Sequence, residues 1–260
     1  MANLSVNVNK VATLRNTRGL GIPSVVRAAA IALDAGAHGI TVHPRPDQRH
    51  VRPGDVTDIA ALLKNFPGAE FNIEGNPFEG QYMAHCERTR PTQCTLVPDA
   101  VDAVTSDQGW RLTPTTAERL RPIVRQLKGW GCRVSLFIDA DPAEARRAAK
   151  LGVDRVELYT EPYAAAFARG RADAAIPFAT TAAAARAAGL DVNAGHDLNL
   201  DNLPPLVASI PDLAEVSIGH ALIADALELG LAETVRRYLA AANGGKGEHR
   251  TSNVERPTSK

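Results

Sequence analysis

The stretch Gly39-Ile-Thr-Val-His-Pro-Arg-Pro-Asp-Gln-Arg-His50 decides the fold. Its first four residues are a short β-prone run, and His43, Arg45, Arg49 and His50 follow at once. A buried strand that delivers an imidazole and several cations at its carboxyl end has the pattern of the rim of an α/β barrel or open α/β sheet, where such proteins place their chemistry. Basic groups so close together suit an anionic ligand, a phosphate above all. A solvated polar loop is the plain alternative for one such stretch alone. Recurrence along the chain decides between them.

The unit does recur. Strand-like runs are read at 4–8, 39–42, 70–73, 93–97, 133–138, 155–158, 190–193 and 215–218. Between them lie helical patterns: 24–35 closed by Gly36, 55–63 opened by Asp55 as a cap, 80–88, 115–130 with Gly131 at its end, and the one that Pro142 opens, running to Leu151. The Ala-rich stretch 162–188 is helical in two pieces, interrupted by Gly170 and Pro177, and 203–209 and 221–241 complete the series. Parallel strands need crossovers of this length, and eight alternations favour closure over an open sheet. The expectation is an α/β protein, a (β/α)8 barrel with extra helices, as one domain over residues 1–242. Residues 243–260 are polar and aperiodic, which predicts a disordered tail.

Composition sets the limits. The 260 residues are 45% hydrophobic and 22% charged with a formal net charge of +0, so a sizeable core is possible and no global pull toward nucleic acid or membrane is expected. Any anion site must be local. Cys86, Cys94 and Cys132 are odd in number and lack C-x-x-C spacing, which argues against a disulfide framework or zinc knuckle. With no basic-plus-apolar leader and no apolar run of membrane length, a cytoplasmic protein is expected.

On the barrel frame, Asn7, Asn9 and Lys10 fall at the end of the first strand, His43 and Arg45 at the second, and Glu74 at the third. Thr105 follows the fourth, Asp139 tips the fifth, His196 follows the seventh, and Gly219 and His220 follow the eighth. All these ends face one way, so residues scattered along the chain converge on one cup. A histidine at a strand end is often only a hydrogen-bonded rim residue. Asp139 has an alternative as the cap of the helix near Pro142, and Thr105 as a loop residue. Glu74 is harder to dismiss, because a carboxylate ending the run Phe71-Asn72-Ile73 is costly to bury unless kept for acid/base work. Gly219-His220 at a helix start after the eighth strand is a tight turn, or a phosphate cradle of backbone amides.

The runs Val6-Asn-Val-Asn-Lys-Val-Ala-Thr-Leu-Arg-Asn16, Gly39-Ile-Thr-Val-His-Pro-Arg45, Arg133-Val-Ser-Leu-Phe-Ile-Asp-Ala-Asp141, Val192-Asn-Ala-Gly-His196 and Ile218-Gly-His-Ala221 resemble the pyridoxine 5'-phosphate synthase family, in order and spacing over residues 4 to about 240. The resemblance implies a TIM barrel with extra helices, commonly an octamer. It implies condensation of 1-deoxy-D-xylulose 5-phosphate with 3-amino-2-oxopropyl phosphate, with loss of phosphate and water and without metal or organic cofactor. By resemblance His43 and Glu74 fall on general bases and His196 on a proton donor. Asn7, Arg18, Gly219 and His220 fall on contacts to the amino-ketone phosphate, and Arg45, His50 and Thr105 on contacts to the deoxyxylulose phosphate. The chain departs from the commoner family form at Asn9-Lys10, which stand for Asp-His, and at Asp197, which stands for Gly. Lys10 can still meet a phosphate as a point charge.

Three rival readings follow from the same residues. Lys10 could serve as a Schiff-base lysine of an aldolase-type barrel. His43, Glu74 and His196 could form a two-histidine, one-carboxylate metal triad. The departures could mark a catalytically silent binder of phosphorylated B6 vitamers.

Overall fold

A computed structural model describes residues 1–99 and 106–245. Eight strands, β1 (Asn3–Asn7), β2 (Gly39–Val42), β3 (Glu70–Gly75), β4 (Gln93–Leu96), β5 (Arg133–Ile138), β6 (Arg155–Tyr159), β7 (Asp191–Gly195) and β8 (Glu215–Ile218), form a closed parallel barrel in sequence order. β8 closes onto β1 through pairs such as Leu4 with Val216. The described helices are α1 (Asn9–Asn16), α2 (Val25–Asp34), α3 (Pro53–Leu63), α4 (Tyr82–Thr89), α5 (Pro114–Gly129), α6 (Pro142–Ala149), α7 (Glu161–Ala168), α8 (Ile176–Ala187), α9 (Leu203–Ser209), α10 (His220–Leu229) and α11 (Leu231–Ala242). Extra helices therefore follow β1, β6 and β8.

The pleat sorts each strand into two faces. One face is apolar: Leu4, Val6, Ile40, Val42, Ile73, Leu96, Leu136, Ile138, Val156, Leu158, Val192 and Val216 are buried in a single core cluster with the helices. The other face is polar and fills the barrel interior. Ser5 Oγ lies 2.7 Å from Thr41 Oγ1, Asn72 Nδ2 donates to Thr41 Oγ1 at 3.3 Å, and Thr95 Oγ1 donates to Asn72 Oδ1 at 2.9 Å. Burial of so many polar groups is tolerable because most find partners across the barrel.

The strands' amino ends are plugged by charge. Arg133 pairs with Glu70 and donates from Nε to Gln93 Oε1 at 3.0 Å. Arg155 reaches Gln93 Oε1 at 3.2 Å and Glu215 Oε2 at 3.8 Å, while Asn193 Nδ2 donates to Glu215 Oε1 at 3.2 Å. With that end closed, the carboxyl ends form the open mouth.

Several local expectations are corrected. Asp55 does not cap the third helix from outside. It is the third residue of α3, where its carboxylate accepts the Arg52 N–H at 2.7 Å and pairs with Arg15. The cap of α6 is Asp141, whose side chain accepts from the Ala143 N–H at 2.7 Å, whereas Asp139 accepts from the Gly109 N–H at 2.9 Å. Asn9 and Lys10 are not strand residues but open α1. Glu74 lies within β3, one residue before its end. Among the described residues no helix is long and apolar enough to cross a membrane.

Candidate active site

β2 and β3 run side by side and present His43 and Glu74 at the mouth, with His43 Nδ1 3.8 Å from Glu74 Oε2. That is beyond direct hydrogen bonding but close enough for one small molecule to touch both. The His43 N–H donates to Asn9 Oδ1 at 3.0 Å, and the Asn9 N–H donates to Asn7 Oδ1 at 3.0 Å. The start of α1 is thus tied to the tip of β2. Asn7 in turn packs against Gly219, where an added Cβ would approach Asn7 Cβ to 3.1 Å. This crowding explains a glycine there and brings the ends of β1, β2 and β8 together.

Electrostatics at the mouth are unusual. Burial, with Asp99 and Glu215 nearby, pushes the Glu74 carboxyl up to about 8, so near neutral pH it holds its proton. Burial together with Arg45, His50, His196 and Arg49 holds His43 well below the ordinary imidazole value. His196 is lowered to about 4 by burial, against the opposing pull of Asp197. Its ring packs against Phe137 and Tyr159, with centroids 5.0 and 5.4 Å away. His50 is lowered to about 4 by burial, Arg45, Lys10 and Arg49. The mouth therefore carries His43, His50 and His196 as neutral imidazoles, Glu74 as a protonated carboxyl, and a set of cations.

The other expected residues divide. Arg45 is buried and pairs with Asp99. His50 is buried, its Nδ1 accepting the Val51 N–H at 2.9 Å and its ring 6.2 Å from that of His43. Lys10 lies exposed on α1, near enough to His50 to affect it, and His220 lies exposed at the start of α10. Arg18 is exposed on the segment after α1, with no hydrogen bond or ion pair to the cluster among the described residues. Thr105 falls outside the described residues. Two rival readings lose their geometric basis. Lys10 lacks the burial that desolvates a Schiff-base lysine, and among the described residues no three His, Cys, Asp or Glu side chains are arranged to hold a metal ion.

Three acidic side chains escaped the sequence reading. Glu157 on β6 is buried, its Oε2 has no hydrogen-bond partner among the described residues, and burial with Glu74 and Glu215 nearby holds its carboxyl well above the usual range. Glu215 on β8 is pushed up to about 7 by burial and by Glu70. Asp99 restrains Arg45 and accepts from Ser106 Oγ at 2.7 Å. The signal for Glu157 was available: a carboxylate at the centre of Arg155-Val-Glu-Leu-Tyr159 meets the same test as Glu74.

A closed parallel barrel with imidazoles and proton-holding carboxyls at its mouth, edged by cations, is a barrel enzyme of the class that moves protons on an anionic small molecule. Residues 4–244 match the family model described as "Pyridoxal phosphate biosynthesis protein PdxJ". The pyridoxine 5'-phosphate synthase of Albidiferax ferrireducens is 56% identical over 248 residues, covering 94% of this chain and 98% of that protein. That of Xylella fastidiosa is 54% identical over 243 residues, covering 91% and 93%. The chain belongs to the PdxJ family. A tryptophan synthase structure from M. tuberculosis shares the fold, with a TM-score of 0.62 at 14% identity over 93% of this chain and 92% of that one.

Proposed function

We propose that this chain is a pyridoxine 5'-phosphate synthase, condensing 1-deoxy-D-xylulose 5-phosphate with 3-amino-2-oxopropyl phosphate to pyridoxine 5'-phosphate, phosphate and water in the cytoplasm. Family membership over nearly the whole chain carries the proposal. The chemistry requires an amine to attack a ketone, water and phosphate to leave, and a carbon nucleophile to close a ring. Protons must therefore move on and off several atoms in turn.

The pKa pattern supports an order of events. His43, held neutral by burial and the nearby cations, is ready as a base. Glu74 is not, because it holds a proton until a cation approaches. The ammonium of the amino-ketone supplies that cation, stabilises the carboxylate and turns Glu74 into a base where the amine must lose its proton. His196 becomes a donor in the opposite way. Bound phosphates offset Arg45, one of the groups that lowers it, and the imidazole can then take up the proton it later gives. Asn7, Gly219 and His220, with Arg18, take the amino-ketone phosphate, and Arg45, His50 and Lys10, with Thr105, the other. Fixing both substrates by their phosphates makes the encounter local.

The test is to mix purified protein with both phosphates and follow pyridoxine 5'-phosphate and released phosphate together. Stoichiometric appearance of the two is expected. Saturable binding of the product without turnover would identify a silent binder instead.

A further inference from the structure

His196 and Asp197 both adopt left-handed backbone conformations, with φ of 83° and 56°, although neither is glycine. A residue other than glycine in this region is strained and persists only where its surroundings over-determine it. One side chain does most of this. The Thr160 N–H donates to the Gly195 carbonyl at 2.9 Å, and its hydroxyl lies 2.6 Å from that carbonyl and 2.5 Å from the carbonyl of His196. A single hydroxyl proton shared between two adjacent carbonyls fixes the direction of the peptide that carries the imidazole. Asn202 Nδ2 holds the next carbonyl, that of Asp197, at 3.0 Å. On the ring side, Phe137 and Tyr159 confine the imidazole. Thr160 is fully buried and sits behind the turn, bonded to its carbonyls rather than to the imidazole.

We infer that Thr160 is a positioning residue for the reaction: its hydroxyl pins the strained turn after β7, so that the His196 imidazole is already aimed when substrate arrives. The inference rests on the proton-donor role proposed for His196. A backbone clamp lowers the barrier by preorganisation and contributes little to ground-state binding, because the phosphates are held elsewhere on the rim.

Thr160→Val removes the hydroxyl at nearly constant volume, and Thr160→Ser keeps it. Steady-state kinetics should show kcat for Thr160→Val down by about 10–100-fold, with KM for both phosphates within roughly 3-fold, while Thr160→Ser stays near the parent. In parallel, the ring nitrogen signals of His196, assigned by nitrogen NMR with His196→Asn as the blank, should shift and broaden in Thr160→Val only. Thr160→Ala, which leaves space rather than a methyl against two carbonyls, replaces the valine variant if that chain does not fold. Unchanged ring signals, or a serine variant as impaired as the valine one, would overturn the clamp. Altered ring signals with unchanged kcat would overturn the positioning role and place the failure with the donor role of His196.

Discussion

At the level of single residues, the mouth is set by what burial does to charge. Burial pushes His50 and His196 down to about 4, well below the ordinary 6.5, and Glu74 up to about 8. Two basic side chains kept neutral beside an acid kept protonated are charge states that ligands can reverse. Deoxyxylulose phosphate carries no amine, so it should act on the imidazoles alone and raise them. The ring-nitrogen NMR signals of His50 and His196 should then titrate at a higher pH with this phosphate bound than without it. Unmoved midpoints would mean that the histidines do not respond to the anion. Glu74 was legible in sequence because it follows the strand-like run Phe71-Asn72-Ile73. Glu157 satisfies the same physical test, but in mid-strand its direction depends on a register that only the barrel reveals. For Arg18 the sequence gives order along the chain, not proximity.

At the level of elements, local rules placed β2, β5, β8 and α9 at their observed bounds, since each is a short run with a Gly, Pro, Asp or Asn within a few residues of both ends. Elements whose limits are set by tertiary contacts were read less well. α1 went unread because its mixed polar run shows little amphipathic pattern, and it is held by Asn9 and Asn7 at one end and by Asn16 and Arg15 against residues 48–50 and Asp55 at the other. The closing segment reads as one helix but breaks at Gly230, whose φ of 79° ends α10 before α11 begins. The Glu157 carboxyl from β6 lies over Gly195 on β7, so that a Cβ there would run into Glu157 Oε1. Gly195→Ala should therefore displace Glu157 and the turn bearing His196, costing about 1–3 kcal/mol of stability as overpacking does and lowering kcat with it. Thermal unfolding and steady-state kinetics check both. A variant as stable and active as the parent would mean that the two strands have slack here.

At the level of the whole molecule, the polar interior makes stability respond to pH in two opposing ways. Glu215 titrates near 4.5 when unfolded and near 7 when folded, so between those values the folded chain holds a proton that the unfolded chain has lost. Its contribution is full below about 4.5 and is lost as pH rises through 7. His50 and His196 act in the other direction: their contribution is full above 6.5 and is lost as pH falls toward 4. Glu215→Gln, which keeps an amide near Gln93 and Asn193, should flatten the decline of unfolding free energy between about pH 4.5 and 7 and leave the histidine-driven loss in acid unchanged. Denaturant titrations across pH measure this, and an unaltered profile would show that Glu215 does not carry the proton. The polar lining itself was invisible in sequence, because alternating polar residues in strands usually mean a solvated face, and only closure of the barrel turns that face inward.

The central claim is that His43, Glu74 and His196, delivered from distant parts of the chain to one mouth, carry the proton transfers of ring closure. Glu74→Gln tests it most directly, since the amide preserves shape and, like the protonated carboxyl, can donate a hydrogen bond, but it can never become a base. Assayed with both phosphates, the variant should bind substrates nearly as the parent does and lose about 10²–10⁴-fold in kcat, the range for removal of a general base. A Glu74→Gln enzyme with the parent's kcat would contradict the claim.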